Sequence, residues 1–414
     1  MKVLVSAFAC EPDKGSEGGV GWNWVCQIAR YHQVWAITRK SHREAIESAL
    51  AKEPQPNVHW IYFDLPRSLC FWQRGGLEFH LYYYFWQAGA YFKAKGLCRR
   101  NKFDAVHHVT YATYWRPSFM ALLPAPFVWG PVGGGESVPR AFYSSLSLKG
   151  RRDERLRDIG RALAHFDPFV RLTARRSVYA LAATKDTEKR LVALGCRKVL
   201  ISCNSGLPAD DISSLKQVPF RHDNPFRVFS IGNLLPSKGF DLGVRAFAEF
   251  HRQFPSSQYW LIGEGPERNR LERLASELGV HRAVGFLGAL PRSEVIEKLT
   301  ECDVLLHPSL HDSAGWVCLE AMAAGRPVVC LDLGGPSLLV AHETGIKVAA
   351  HSPKQAVSDL AAALSHLASN TELRLQLGQA GRQRIKEHFD YGKKVGQLME
   401  IYQGALRIAA HAGD

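Results

Sequence analysis

No run of about 18 uncharged apolar residues occurs in the 414-residue chain, so no membrane-spanning helix is expected. The opening MKVLVSAFACEPDKG resembles an export signal only superficially. Its apolar part is short and runs into Glu11, Asp13 and Lys14, as a first buried strand ending in a loop would. The nine cysteines include no CxxC pair and no Cys/His cluster at zinc spacing. They read as reduced thiols, several in core strands (Cys10, Cys330), and point to the cytosol. No glycine loop ends in GK[ST], which excludes a Walker site. No Asp-x-Asp pair follows a strand, so no obligatory divalent ion and no other cofactor is expected. There is no internal repeat. Positive charge is in excess, with 52 Lys+Arg against 39 Asp+Glu and a net charge of +13. No zinc-finger spacing, RNP pattern or heptad-linked basic region accompanies it, which argues against nucleic acid. Anionic lipid and phosphorylated small substrates remain as partners.

What is present is an alternation of short apolar runs with longer amphipathic stretches. Candidate strands are Val3–Phe8, Val34–Thr38, Val58–Phe63, Ala105–Thr110, Phe127–Trp129, Ala180–Thr184 and Val199–Ser202. A second series holds Arg227–Ile231, Tyr259–Ile262, Val284–Leu287, Val304–His307 and Val328–Leu331. Near-continuous apolar strands between helices indicate parallel sheets covered on both faces. The break between the series, near Asn204–Pro225, holds NSGLPADD and two further prolines and reads as a linker. The expected architecture is α/β. It has a domain over residues 1–205, a second over 206–390, and a late helix in 391–414 that crosses back to the first. Ligands of such sheets bind beyond the carboxyl ends of the strands. Two facing domains would hold the site in the cleft between them.

Five segments carry candidate chemistry. In HPSLHDSAGWVCLEAMAAGRPVV, a strand ends at Pro308 and a loop carries Asp312, Ser313, Ala314 and Gly315. A helix then begins near Trp316 and carries Glu320. Loop amides and a helix N-terminus favour an anion, and a carboxylate there can accept hydrogen bonds from sugar or ribose hydroxyls. Equally, Asp312 reads as a loop cap and Glu320 as a residue that offsets the helix dipole. In Gly232-Asn-Leu-Leu-Pro-Ser-Lys238-Gly239, Lys238 can neutralise a diphosphate, or it can be a solvated lysine on a turn. Gly15–Gly21, with Gly18 and Gly19, forms a glycine-rich turn after the first strand and before a helix expected over Trp22–Arg30. Gly263 ends one strand, and Phe286 and Leu287 lie in the next. His107 and His108 end a first-domain strand ahead of the Gly133–Gly135 run and Glu136. Finally, residues 149–176 are basic and residues 71–92 are aromatic. Together they read as a solvated helix face and an aromatic core, or as a patch that docks on an anionic membrane surface.

The Asp312–Glu320 stretch resembles the E-x7-E signature of retaining glycosyltransferases of family 4, with Asp312 in place of the first Glu. AMAAGRPVV matches the residues that follow the second acid. The Gly232–Gly239 segment resembles the family's G-R-x-x-P-E-K-G pattern, with Asn233 for Arg and Ser237 for Glu. The resemblance implies a GT-B fold of two facing Rossmann-like domains, acceptor in the first and donor in the second. It implies that Glu320 binds the ribose hydroxyls and Asp312 lies near the donor sugar. Asn233 and Lys238 would contact the diphosphate, and Gly18 and Gly19 would face it. Gly263 would stand beside the phosphates, while Phe286 and Leu287 line the base pocket. A cleft histidine usual in the family is missing, and His108 and Glu136 are the substitutes to test.

The function expected is therefore transfer of a hexose-type sugar, with retention, from a nucleotide-diphosphate donor, UDP above all, to a glycan or lipid-linked acceptor. The setting expected is synthesis of cell-surface polysaccharide or glycolipid, in the cytoplasm and peripheral to the inner face of the plasma membrane. Asp312, Lys238 and His108 are the catalytic candidates. Ser313, Ala314 and Gly315 join the donor site. The alternatives are a GT-B sugar-nucleotide epimerase and a non-catalytic protein that binds sugar nucleotides or docks on a membrane.

Overall fold

A computed structural model of the chain describes residues 1–12, 14, 16–66, 76–203, 205–220 and 225–411. Gly15 of the glycine-rich turn, residues 71–75 of the aromatic stretch, and Asn204 and residues 221–224 of the expected linker lie outside the described residues. The chain divides into two compact units. Unit 1 comprises Met1–Gly135, Ile159–Asn204 and Tyr391–Asp414, and unit 2 comprises Glu136–Asp158 and Ser205–Asp390.

Unit 1 is built on a seven-stranded parallel sheet. Its strands are β1 (Lys2–Ser6), β2 (Gln33–Arg39), β3 (Val58–Phe63), β4 (Ala105–His108), β5 (Phe127–Val132), β6 (Ser177–Ala182) and β7 (Val199–Ile201). The spatial order is β3-β2-β1-β4-β5-β6-β7. The central strands are apolar towards both faces because both are covered. All four residues of β4 and all six of β5 are buried. Each fully buried Val or Leu on such a strand contributes about 1.5–3 kcal/mol. The ladder stops at Ser6 and His108, short of the expected Phe8 and Thr110. Beyond these points Val109 N–H still reaches the Ser6 carbonyl, but Ala9 N–H turns to the Thr110 hydroxyl at 3.0 Å, so the chain leaves the sheet. Helix Gly76–Cys98 places Tyr82, Tyr83 and Trp86 in the same core as Leu4, Val106 and Trp129. Helix Tyr391–His411 also belongs to this unit. Its Tyr402 hydroxyl donates to His107 Nδ1 at 2.7 Å, while His107 Nε2 donates to the Gly130 carbonyl.

Unit 2 holds a six-stranded parallel sheet, in the order β10-β9-β8-β11-β12-β13. The strands are β8 (Arg227–Ile231), β9 (Gln258–Ile262), β10 (Val284–Gly288), β11 (Val304–His307), β12 (Val328–Leu331) and β13 (Gly345–Val348). β11 lies at the centre between β8 and β12, so its carboxyl end at His307 opens onto the middle of the sheet edge. The segment Glu136–Asp158 adds Val138, Phe142 and Leu146 to the unit's core. Between Asn204 and Pro225 the chain is not simply a linker, since Ala209–Lys216 is helical and buries Leu215.

Candidate functional site

Two loops at the carboxyl ends of β8 and β11 meet in unit 2. Pro236–Lys238 make a short 3-10 turn that Gly239 closes with φ +64°. A Cβ on Gly239 would stand 2.1 Å from the Pro308 carbonyl oxygen, so only glycine lets the loops touch here. The Ser237 carbonyl accepts from the amides of Leu310 at 3.0 Å and His311 at 3.2 Å, which ties the second loop to the first.

Asp312 is where the loops converge. Its Oδ2 accepts from Lys238 Nζ at 2.5 Å and from His307 Nε2 at 3.2 Å. Its Oδ1 accepts from the amides of Ala314 and Gly315, each at 3.1 Å. Burial opposes ionisation of Asp312. The Lys238 ammonium and the His307 ring outweigh it and hold the carboxyl well below the usual carboxylate range. The loop-cap reading of Asp312 is realised, and the same side chain also anchors the lysine. Among the described residues, Asp312 is the one hydrogen-bond partner of the Lys238 ammonium. Two N–H bonds are left for another anion. Helix Trp316–Ala323 starts immediately after Gly315 and adds the positive end of its dipole.

Glu320 lies on that helix, and its Oε1 is 2.9 Å from Arg292 Nη1. Arg292 Nη2 reaches Asp211 Oδ2 at 2.9 Å, so one guanidinium serves two acids. Burial raises the Glu320 pKa, and Arg292 opposes the shift. No sequence motif announced Arg292 or Asp211. Asn233 is exposed, and Gly263 N–H donates to the Gly288 carbonyl at 2.7 Å, joining β9 to β10. Phe286 and Leu287 are half-buried on β10, and Arg268 lies 3.3 Å from the Phe286 carbonyl.

The loop is held from a third side by Glu136, which is 2% exposed. Ser313 Oγ donates to Glu136 Oε2 at 2.6 Å. His311 stands between two buried acids, with Nε2 3.9 Å from Glu136 and Nδ1 3.7 Å from Glu154. Arg157 donates to His311 Nδ1 at 3.0 Å and also pairs with Glu154. A guanidinium only donates, so His311 Nδ1 is bare and its proton sits on Nε2, facing Glu136. Glu136, one of the two residues singled out from the sequence as substitutes for the cleft histidine, is thus brought to the Asp312 loop.

Two expectations need correction. The helix expected from Trp22 begins at Ser16, so Gly18 and Gly19 lie in its first turn and not in a loop. Glycine disfavours a helix by about 1 kcal/mol relative to alanine. The helix lies against the segment that follows β1, where the Glu11 N–H donates to the Gly18 carbonyl at 3.0 Å. A Cβ on Gly21 would lie 1.9 Å from the Ala9 carbonyl oxygen. His108, expected to be catalytic, is 1% exposed inside unit 1. Ser118 Oγ donates to its Nδ1 at 2.8 Å, and its Nε2 donates to the Tyr83 hydroxyl at 3.2 Å. Burial and then His107 push its pKa down to about 3. A neutral ring with both nitrogens engaged in the interior cannot exchange a proton with a substrate, so His108 is a packing residue. Among the described residues, no group of three or more His, Cys, Asp or Glu side chains is placed to hold a metal ion.

Residues 211–384 match the family model for glycosyl transferases group 1. A D-inositol 3-phosphate glycosyltransferase of Corynebacterium aurimucosum is 32% identical over 185 residues, which is 43% of this chain and 43% of that one. A lipopolysaccharide core biosynthesis glycosyltransferase, LpsD, of Rhizobium meliloti is 31% identical over 164 residues, 40% of this chain and 45% of that one. These matches span less than half the length of either relative. The crystal structure of Anabaena Alr3699/HepE in complex with UDP and glucose superposes with a TM-score of 0.62 at 18% identity. It covers 98% of this chain and 100% of that one. The two parallel α/β sheets are those of the GT-B fold.

Proposed function

From a chain whose residues 211–384 are a glycosyl transferases group 1 domain, we propose that the whole protein is a retaining, metal-independent hexosyltransferase using a nucleotide-diphosphate donor. The observation that carries this is the Lys238–Asp312 pair beneath the N-terminus of helix Trp316–Ala323. An acid holds the lysine in place, and its remaining N–H bonds and the helix dipole receive a diphosphate. Glu320 holds the ribose hydroxyls once they compete with Arg292 for its carboxylate. UDP is the nucleotide proposed, because HepE, which shares the fold, was crystallised with UDP.

The chemistry follows from charge. The bond from anomeric carbon to phosphate oxygen breaks, and negative charge builds on the β-phosphate while the sugar becomes oxocarbenium-like. Lys238 and the loop amides stabilise that charge where it develops. The acceptor hydroxyl attacks from the same face. Its proton passes to the departing phosphate oxygen, so configuration is retained and no protein nucleophile is needed.

The acceptor proposed is a glycan or lipid-linked sugar, in surface polysaccharide or glycolipid synthesis, as the name of LpsD suggests for that relative. No helix among the described residues is long and apolar enough to cross a membrane. A peripheral position on an anionic, cytoplasmic membrane face is proposed from helix Gly76–Cys98. Its Leu81, Phe85 and Phe92 make an exposed apolar stripe, Phe92 being 68% exposed, and Lys93, Lys95, Arg99 and Arg100 accompany them. The test is a thermal-shift panel of UDP-, GDP-, ADP- and dTDP-sugars, followed by a transfer assay with stereochemical analysis of the product. Stabilisation by none of the four would overturn the donor reading. A product of inverted configuration would overturn retention.

A further inference from the structure

Beyond the carboxyl ends of β1, β2 and β4, unit 1 holds two arginines that no acid among the described residues pairs directly. Arg39 ends β2, and Arg116 follows β4. Neither is in an ion pair among the described residues, and the Nε of each is buried without a hydrogen-bond partner. Each instead donates to a histidine, Arg39 Nη2 to His42 Nε2 at 2.8 Å and Arg116 Nη2 to His80 Nδ1 at 2.5 Å. A guanidinium only donates, so both accepting nitrogens are bare and both imidazoles are neutral. Burial, and then the arginine charge, lowers each of these histidines to about 4. The histidines therefore orient the arginines without cancelling their charge.

The two guanidiniums flank one aromatic cluster. Arg39 lies 4.6 Å from the Phe8 ring centre, and Arg116 lies 5.1 Å from that of Tyr83 and 5.9 Å from that of Tyr111. Phe8 touches Tyr83 at 4.8 Å and Tyr111 at 5.1 Å. The Tyr111 phenol is in the field of Arg39, Arg116 and Glu17 together. Tyr111 has φ +54°, the one non-glycine residue among those described with a left-handed backbone. The Glu17 carboxylate holds it there by accepting from its N–H at 3.1 Å, and the Tyr83 hydroxyl by donating to its carbonyl at 3.2 Å. Strained residues of this kind cluster at ligand sites. The other nearby acid, Glu11, is 4.0 Å from His42 and is shared with Lys14 at 3.7 Å. Among the described residues, two guanidiniums face one carboxylate in the electrostatics of Tyr111, that of Glu17, which leaves positive charge in a half-buried, aromatic-walled site. Desolvated charge without a counter-ion is costly.

We propose that Arg39 and Arg116 bind an anionic group of the acceptor, a phosphate or a carboxylate, with the aromatic cluster packing against the sugar that bears it. The inference rests on the glycosyltransferase reading for the identity of the ligand as acceptor. The experiment is calorimetric titration of the full chain with glucose 6-phosphate, glucuronate and glucose, repeated on Arg39→Met and Arg116→Met. Methionine keeps the apolar stem and removes the charge.

The expected result is that at least one anionic probe binds the wild type about tenfold more tightly than glucose. At least one variant loses that margin while binding UDP, GDP, ADP or dTDP within about twofold of wild type. Preference for glucose 6-phosphate identifies a phosphate group, and preference for glucuronate a carboxylate. No margin over glucose, a margin that survives in both variants, or an equal loss of nucleotide binding each overturns the proposal. If Arg116→Met shows no cooperative unfolding transition, Arg39→Met alone decides. Wild-type protein that binds the anionic probe but no nucleotide leaves this site standing and removes the donor reading. The opposite result removes only this site.

Discussion

The Lys238 ammonium lies 2.5 Å from the Asp312 carboxylate, joining the loop after β8 to the loop after β11. Donor chemistry needs the lysine at one point in space, and a lysine side chain left to itself gives up conformational entropy to stay there. Asp312 meets that cost in advance and keeps the charge aimed. Lys238→Ala is therefore expected to lower kcat/KM for the donor by about 10²–10³-fold. Asp312→Asn should retain the amide caps in part and lower it less. Steady-state kinetics with the best donor of the panel checks both, and near-normal turnover in Lys238→Ala would remove the site.

Asp312 also predicts an acid limb. Its folded pKa lies below the unfolded value of about 3.9, so the stability it contributes is present above that pH. This contribution is lost as the pH falls through the lower folded value. The difference in urea midpoint between wild type and Asp312→Asn should be largest near neutrality and shrink below about pH 4. A difference that does not change with pH would mean that the loop, not the ionised carboxylate, carries the stability.

Glu320 carries the opposite sign. Burial raises its pKa, so its ionised form is disfavoured in the folded state. The stability it contributes is full below the unfolded value and is lost as the pH rises through the folded one. Glu320→Gln should then raise Tm at neutral pH and have no such effect near pH 4, because Arg292 keeps Asp211 as a partner. The same variant should raise the donor KM by about tenfold, since a carboxylate grips ribose hydroxyls more firmly than an amide. A site that gains function at the expense of stability behaves this way.

Glu136 acts on the same loop through Ser313. Glu136→Ala should raise the donor KM by about tenfold, whereas Glu136→Gln, which keeps an acceptor oxygen for Ser313, should stay within about threefold. The double variant with Ser313→Ala should be no worse than Glu136→Ala alone, since both break one contact. A lowered Tm with an unchanged KM would show that the contact only holds the segment Glu136–Asp158 in place.

How much of this was legible in the sequence depended on how local the cause was. Val304–Leu306 and Val328–Leu331 are apolar throughout because parallel strands at a sheet centre are buried on both faces, and both strands stand where expected. Gly345–Val348 went unread. As an edge strand it pairs only with β12, and it opens with a glycine and carries Lys347. The acid pair and Lys238 were visible because a loop motif fixes their spacing. Arg292, the partner of Glu320, was not, because the pairing depends on tertiary packing. The chain passes from unit 1 to unit 2 at Gly135–Glu136, directly after a glycine run that the sequence reading placed within the first domain. The glycine run misled because a close approach of helix and neighbouring chain also selects glycine, as at Gly21 against the Ala9 carbonyl.

The buried histidines of unit 1 give the last prediction. Burial lowers His107 to about 4 and His108 to about 3, with His42 and His80 at about 4. Unfolded, each titrates near 6.5. Between that value and about 4 the unfolded chain binds more protons than the folded one, so stability falls as the pH is lowered through this window. Among the described residues, unit 2 has fewer such groups, with His251 lowered by burial. Hydrogen exchange in β1, β4 and β5 should therefore accelerate on acidification from about pH 6.5 to about pH 4.5, more than in β8, β11 and β12. His108→Gln, which cannot take up the proton, should reduce the acceleration in unit 1 and leave unit 2 unchanged. Equal acceleration in both sheets would show that the acid sensitivity lies elsewhere, in the carboxylates common to both.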